Sequence, residues 1–411
     1  MNPLFTELKT VRGLDSGLLR PYVPPYIAQL QQQGYRPRTV RAHLCLIANF
    51  YRWFTRTDRS LHDLNEKVIE RFLQGHLRHR KWRTGERSVL LRLLSILRKA
   101  GVTPPAKAIP PTPGRCLVDQ YRRYLSEERG CSSCTLENYG RHIERFVAQR
   151  FGTGLLKPSR LQARNVVAFV QSNAHLHSRG YTLQVGTALR SFLRFLHYRG
   201  HITSDLAQAV PAVAHWPMAD LPKHLPAEAV QKVLDCCDQT TAVGRRNHAI
   251  LLLLARLGLR AGEIITLQLE DIDWENAQLT VRSKKGRGWA RLPLPRDVGK
   301  AIARYLQFDR PECSCRNVFV RMVAPYDRLS DSPVISVLTR TALEKAGVES
   351  LHKGAHLFRH SLATAMLRQG ASLDEIGQLL RHKDPDTTAI YAKVDLDALR
   401  RLAIAWPGGV Q

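Results

Sequence analysis

Gln278-Leu-Thr-Val-Arg-Ser-Lys-Lys-Gly-Arg-Gly-Trp-Ala-Arg-Leu-Pro-Leu294 reads as two short strands in a chain of 411 residues that otherwise reads as helical. Gln278 to Arg282 and Trp289 to Leu294 supply the strands, and Ser283 to Gly288 a basic, glycine-containing turn. Upstream, Asn247 to Leu259 predicts an apolar helix ending near Gly258, and helical segments continue downstream to the end of the chain. The C-terminal piece is therefore expected to be α+β, a small antiparallel sheet set among helices.

Two proline-rich stretches separate this piece from what precedes it. Pro104, Pro105, Pro110, Pro111 and Pro113 fall in the first, and Pro211, Pro217, Pro222 and Pro226 in the second. Proline lacks the backbone donor and pushes its predecessor out of the helical region, so both read as extended linkers. The expected layout is a tail over 1–17, a helical domain over 18–102, a linker over 103–114, a second helical domain over 115–210, a linker over 211–226 and the α+β domain over 227–411.

The two helical pieces read as copies of one another. Gly34-Tyr-Arg-Pro-Arg-Thr39 opens a segment running to Phe50 and Phe54, and Gly130-Cys-Ser-Ser-Cys-Thr135 opens one running to Phe146 and Phe151. Each copy ends in a leucine-rich helix closed by glycine, Leu90 to Gly101 and Leu189 to Gly200, glycines that suit helix C′ positions. Both are expected to be small helical bundles produced by duplication.

Lys and Arg number 62 against 35 Asp and Glu, a formal charge of +27. Solubility needs a net charge of only about 2–8 in a small domain, so the excess points to a polyanion, and nucleic acid is the default. The first bundle is especially basic: Arg36 to Lys99 holds 16 Lys/Arg against 5 Asp/Glu, a net of +11. Such helices grip phosphates whatever the sequence. Tyr51, Trp53, Phe54 and Trp82 lie among these charges and read as core. The longest clean apolar run, Ala249 to Ala255, is too short to span a bilayer. Met1 to Thr10 carries Glu7 and no apolar stretch, so a secretory signal is not expected. A cytoplasmic, nucleoid-associated protein is the expectation. The eight cysteines, including Cys131-x-x-Cys134 and Cys313-x-Cys315, are expected to be reduced and mostly buried rather than disulfide-bonded or zinc-bound.

Four stretches of the last piece place polar residues where a plain core would not want them. In Leu257-Gly-Leu-Arg-Ala-Gly-Glu263, Arg260 sits in an apolar run and needs an anionic partner, either Glu263 or Asp273. The hairpin turn carries Lys284 and Lys285. In His356-Leu-Phe-Arg-His360 the spacing of three puts an imidazole and a five-donor guanidinium on one helical face, able to meet one phosphate. In Leu379-Leu-Arg-His382-Lys-Asp-Pro-Asp-Thr-Thr-Ala-Ile-Tyr391, Asp384 reads as an N-cap and Pro385 as the first helical residue. Tyr391 suits a core, yet a phenol among cations is also a nucleophile. Asp271-Ile-Asp273 reads as a solvated turn rather than a metal site.

As a set, in this order and spacing, the four stretches resemble the tyrosine recombinases, or phage integrase family, across about 185 C-terminal residues. The segment from Arg115 to His201 resembles the family's SAM-like core-binding domain; the extra bundle ahead of it is unusual. The resemblance implies a catalytic set of Arg260, Lys285 (with Lys284 still open), His356, Arg359, His382 and Tyr391, with Glu263 and His360 orienting them. Arg381 departs from the glycine that normally precedes the family's histidine.

It implies a chemistry as well. Tyr391 would attack a backbone phosphorus, giving a 3′-phosphotyrosine and a free 5′-hydroxyl. The link keeps the bond energy, so no cofactor is implied. Arg260 and Arg359 would stabilise the charge building on the phosphate, and His382 would donate to it. Lys285 would protonate the leaving oxygen, and His356 would help deprotonate the phenol. The implied partner is double-stranded DNA. The implied assembly is a homo-tetramer on two sites, joined through an amphipathic tail from Asp395 to Ala405, possible company being other recombinases of the same mobile element. The alternatives are a tail packed on its own domain, a topoisomerase of type IB, and a non-catalytic DNA-binding homologue.

Overall fold

The computed structural model describes residues 14, 17–57, 59–77, 85–105, 112–152, 156–214, 223–282 and 288–394. It is mainly helical with one three-stranded antiparallel sheet. The chain divides into two compact units, residues 107–219 and the remainder, 1–106 with 220–411. No described helix is long and apolar enough to cross a membrane.

The N-terminal bundle holds α1 (Val23–Gln32), α2 (Pro37–Thr55), α3 (Glu66–Leu77) and α4 (Glu86–Lys99). The unit over 107–219 holds α5 (Pro113–Glu127), α6 (Ser133–Phe151), α7 (Ala163–Leu176) and α8 (Arg179–Tyr198). The two share more than a helix count. Helices α2 and α6 are both 19 residues long, and each follows a glycine in the left-handed region, Gly34 at φ 77° and Gly130 at φ 58°. Ile47 and Phe50 are buried in one, and Ile143 and Phe146, 96 positions on, in the other. Leu90, Leu93, Leu94 and Leu97 of α4 are buried, as are Leu189, Phe192, Leu193 and Leu196 of α8, each 99 positions on. A left-handed glycine closes each bundle, Gly101 and Gly200. The exposed charges do not repeat: Arg141 and Arg145 face water on α6, where α2 has Cys45 and Asn49.

The bundle aromatics largely match expectation: Phe54 is buried, and Tyr51 and Trp53 pack on the first core. Trp82 lies outside the described residues. Pro113 already belongs to α5, so helix begins inside the stretch expected to be linker. The cysteines require a correction: the eight are free, but none is fully buried, and Cys116 and Cys134 are exposed.

The remaining chain builds α9 (Ala227–Asp235), α10 (Ala242–Leu257), α11 (Ala261–Thr266), β1 (Ile272–Asp273), β2 (Gln278–Arg282), β3 (Trp289–Pro293), α12 (Arg296–Phe308), α13 (Ser332–Lys345), α14 (His356–Arg368), α15 (Leu373–Leu380) and α16 (Asp386–Ala389). A 3-10 turn, Ile390–Val394, follows. Helix α10 is buried on nearly every side from Ala249 to Ala255, which explains a run with no polar stripe. The sheet order is β1-β2-β3, with Leu279 opposite Leu292 and Val281 opposite Ala290. Its inward residues, Leu279, Val281 and Leu292, join the same core as α10.

Asp271 is not a solvated turn residue. It is buried, accepts from the Gln268 backbone N–H at 2.9 Å, and pairs with Arg282 at 2.8 Å. The turn's carboxylate thus holds β2 to the segment before β1. The N-terminal bundle also meets this part of the chain: the Tyr326 N–H donates to the Gln33 carbonyl at 3.4 Å, and the Tyr326 ring covers Gly34.

Candidate active site

The site is assembled from two chain breaks and helix α14. Helix α10 ends at Gly258, whose φ of 55° is left-handed. A Cβ there would stand 2.6 Å from Leu380 and 3.2 Å from Leu362, so the position requires glycine on both counts. The reversal buries Leu259 and brings Arg260 out as the cap of α11, with 41% of its side chain exposed.

Of the two partners expected for Arg260, the structure selects Glu263. Its Oε2 accepts the Arg260 backbone N–H at 2.8 Å, and its Oε1 accepts Arg260 Nη1 at 3.0 Å. Among the described residues, Arg260 Nε and Nη2 meet no protein acceptor.

Helix α14 carries His356, Arg359 and His360. Leu357 and Phe358 face the core, and Arg359 is buried with them. Arg359 Nη1 donates to the Gly258 carbonyl at 2.5 Å, and Nη2 to the Leu380 carbonyl. One guanidinium thereby ties the ends of α10 and α15 to α14. Burial, then Arg260 and Arg381, lowers its pKa to about 10, leaving it charged near neutrality. His356 is accessible at the start of α14; desolvation on its protein side, then Arg359 and Arg260, lowers its pKa below the usual histidine value.

The second break ends α15 at Arg381, again left-handed (φ 56°, ψ 48°). His382 follows, its N–H bonded to the Gly377 carbonyl and its Nδ1 2.7 Å from Thr388 Oγ1. Asp384 and Pro385 start the next helix one residue later than expected. The Asp384 carboxylate accepts the Asp386 N–H at 3.1 Å, and α16 begins at Asp386. Tyr391 lies in the 3-10 turn beyond, with 1% of its surface exposed.

The phenol is met by His360. Tyr391 Oη lies 2.9 Å from His360 Nδ1, and the His382 ring stacks parallel to the tyrosine ring at 6.5 Å. Burial raises the phenol to about 12, with Arg359 pulling the other way. Burial and neighbouring cations lower His360 and His382 to about 4, so both rings are neutral at pH 7. A neutral imidazole nitrogen can accept the phenol's hydrogen bond.

Arg260, Arg359, His382 and Tyr391 thus lie close enough to act on one another, with Glu263 bonded to Arg260 and His360 to the phenol. Lys284, Lys285 and the segment from Asp395 to Ala405 lie outside the described residues. Three contacts were not legible in the sequence: Thr388 on His382, Arg381 on Glu263, and His360 rather than His356 on the phenol. The departure from glycine at Arg381 was the only signal of the second. The others join residues whose meeting depends on how α14, α15 and α16 stack.

Comparison with known proteins places this arrangement. The phage integrase family matches residues 223–397, and the phage integrase N-terminal SAM-like domain matches residues 118–200. The chain is 40% identical over 413 residues to the putative integrase/recombinase y4rA of Sinorhizobium fredii, covering 98% of this chain and 100% of that protein. It is 32% identical over 289 residues to tyrosine recombinase XerA of Thermococcus onnurineus, covering 69% and 93%. Among solved structures, the XerH site-specific recombinase bound to palindromic difH substrate shares its fold at a TM-score of 0.55 and 18% identity, over 70% of this chain and 84% of that one. Residues 75–356 of lambda integrase, a dimer on a COC′ core site, do so at 0.52 and 19%, over 67% and 94%. The chain belongs to the phage integrase family, the tyrosine recombinases.

Proposed function

We propose that the protein is a site-specific recombinase of a mobile element, cleaving and rejoining double-stranded DNA through a 3′-phosphotyrosine on Tyr391. The observation that carries this reading is the phenol held 2.9 Å from a neutral imidazole, within the field of Arg359 and beside His382. Tyr391 Oη forms a bond to phosphorus as the P–O5′ bond breaks. The phenol proton passes to His360, with His356 nearer the phosphate than the phenol. Lys285, or Lys284, gives the proton that the leaving 5′-oxygen takes up. Arg260 and Arg359 meet the charge on the non-bridging oxygens. Rejoining runs the same steps backwards from a new 5′-hydroxyl, and no cofactor enters.

The charge of +27 and the basic first bundle support DNA as partner. We read 18–102 as a second SAM-like module, since its core repeats that of residues 115–210, with a differently charged surface. A tetramer on two sites, joined by the segment after Tyr391, and a place at the nucleoid complete the reading.

The test uses a nicked duplex carrying a site first located by footprinting on the DNA that flanks the gene. A covalent band on a denaturing gel with wild type and none with Tyr391→Phe is expected. A footprinted site that yields no band with wild type leaves a DNA-binding homologue without catalysis. Relaxation of supercoils by a monomer without strand exchange would instead indicate a topoisomerase.

A further inference from the structure

Arg381 occupies a position that suits it poorly. Its backbone is left-handed, a conformation costing a residue with a Cβ about 1 kcal/mol and glycine almost nothing. Only 12% of its side chain is exposed, and its Nε is buried with no hydrogen-bond acceptor among the described residues. Arg260 and Arg359 are close enough for the three like charges to act on one another. Against this stand a bond from Nη1 to the Leu379 carbonyl at 2.9 Å and one from Nη2 to Glu263 Oε2 at 3.0 Å.

The Glu263 bond decides what Arg260 can do. A carboxylate and a guanidinium left alone form a two-bonded fork, which would turn two Arg260 donors toward Glu263. Here Oε2 is already occupied by the Arg260 backbone N–H and by Arg381. Among the described residues, Arg260 therefore bonds through Nη1 alone and keeps Nε and Nη2 for another acceptor. Three arginines and one glutamate also leave the cluster with a net charge of +2, suited to an anion.

We propose that Arg381 is a further positioning residue for strand cleavage: by occupying Glu263 it aims the Arg260 fork at the scissile phosphate. The proposal rests on the reading of Arg260 and Tyr391 given above. Arg381 acts through Glu263, not by touching the phosphate.

The test is single-turnover cleavage of the footprinted nicked duplex by the full chain, with DNA affinity and melting temperature measured alongside. Arg381→Gly fits the backbone, so it should fold and melt within a few degrees of wild type. It should cleave about 10- to 100-fold more slowly, the scale of a misplaced catalytic group, with DNA affinity changed less than about threefold. Arg381→Lys keeps the charge without the fork and should fall between. In a Glu263→Gln background, Arg381→Gly should cost less than about threefold more, because the residue it acts through is already altered. Replacing the scissile phosphate with a methylphosphonate removes one negative charge and should narrow the gap between wild type and Arg381→Gly. Wild-type cleavage by Arg381→Gly, a defect confined to DNA affinity, or full additivity with Glu263→Gln would overturn the proposal while leaving Tyr391 as nucleophile. A wild type forming no Tyr391-dependent adduct on the bound site would overturn both.

Discussion

Tyr391 Oη lies 2.9 Å from His360 Nδ1, one helical turn beyond the His356 that the family pattern suggests for the phenol. The contact divides the labour of the two histidines. His360 faces the Tyr391 phenol from within the fold, and His356 stands accessible at the start of α14.

If that division holds, His360→Phe should slow covalent adduct formation by about 100-fold or more, the usual range for losing a proton acceptor. DNA affinity should stay near wild type. His356→Phe should slow cleavage as well, and in addition weaken binding of the scissile phosphate. A His360→Phe enzyme that cleaves normally would return the phenol to His356.

The titration of these rings offers a check that needs no DNA. His360 and His382 should titrate near pH 4 in the folded protein, and His356 below 6.5. Unfolded histidines take up protons near 6.5, so between about 6.5 and 4 the unfolded chain binds more protons than the folded one. Stability should therefore fall as pH drops through that window and change little from these groups above it. Carbon-13 NMR of labelled histidines, read beside denaturant midpoints, measures both; His360 or His382 titrating near 6.5 contradicts it.

Arg359 serves architecture as well as charge. Arg359→Ala leaves the Gly258 and Leu380 carbonyls without their donor, so it should cost about 2–5 kcal/mol of stability, in addition to a loss of roughly 100-fold or more in rate. Denaturant unfolding separates the first effect from the second. Arg359→Lys should recover part of the stability and little of the rate, because lysine cannot reproduce the fork.

How the site could be read from sequence follows from where its partners lie. Gly258 and Glu263 were legible because each sits within a few residues of what it serves, whereas His360 meets a phenol 31 residues further on. The hairpin was legible from two short runs joined by a basic, glycine-containing turn, and the two bundles from matching glycines and leucine-rich helices. Asp271 was misread because its partner, Arg282, arrives across a sheet rather than along a helix. Arg381 showed only as an anomaly because Glu263 lies 118 residues earlier, and nothing local announces that bond.

Gly34 and Gly130 form a matched pair for the joint between the first bundle and the chain around Tyr326. Both have positive φ, so alanine should cost each about 1 kcal/mol. Only at Gly34 would the added Cβ meet an obstacle, standing 2.4 Å from the Tyr326 ring. Gly34→Ala should thus destabilise more than Gly130→Ala, and Tyr326→Ala should erase the difference. Equal costs in thermal unfolding would show that the tyrosine yields freely.

The central claim is that Tyr391 takes the DNA, and mass spectrometry of the trapped adduct tests it most directly. After nuclease and trypsin digestion, the account predicts a nucleotide linked through its 3′-phosphate to Tyr391, on the peptide from Asp384 to Lys393. A nucleotide on any other residue, or one joined through its 5′-phosphate, would contradict it.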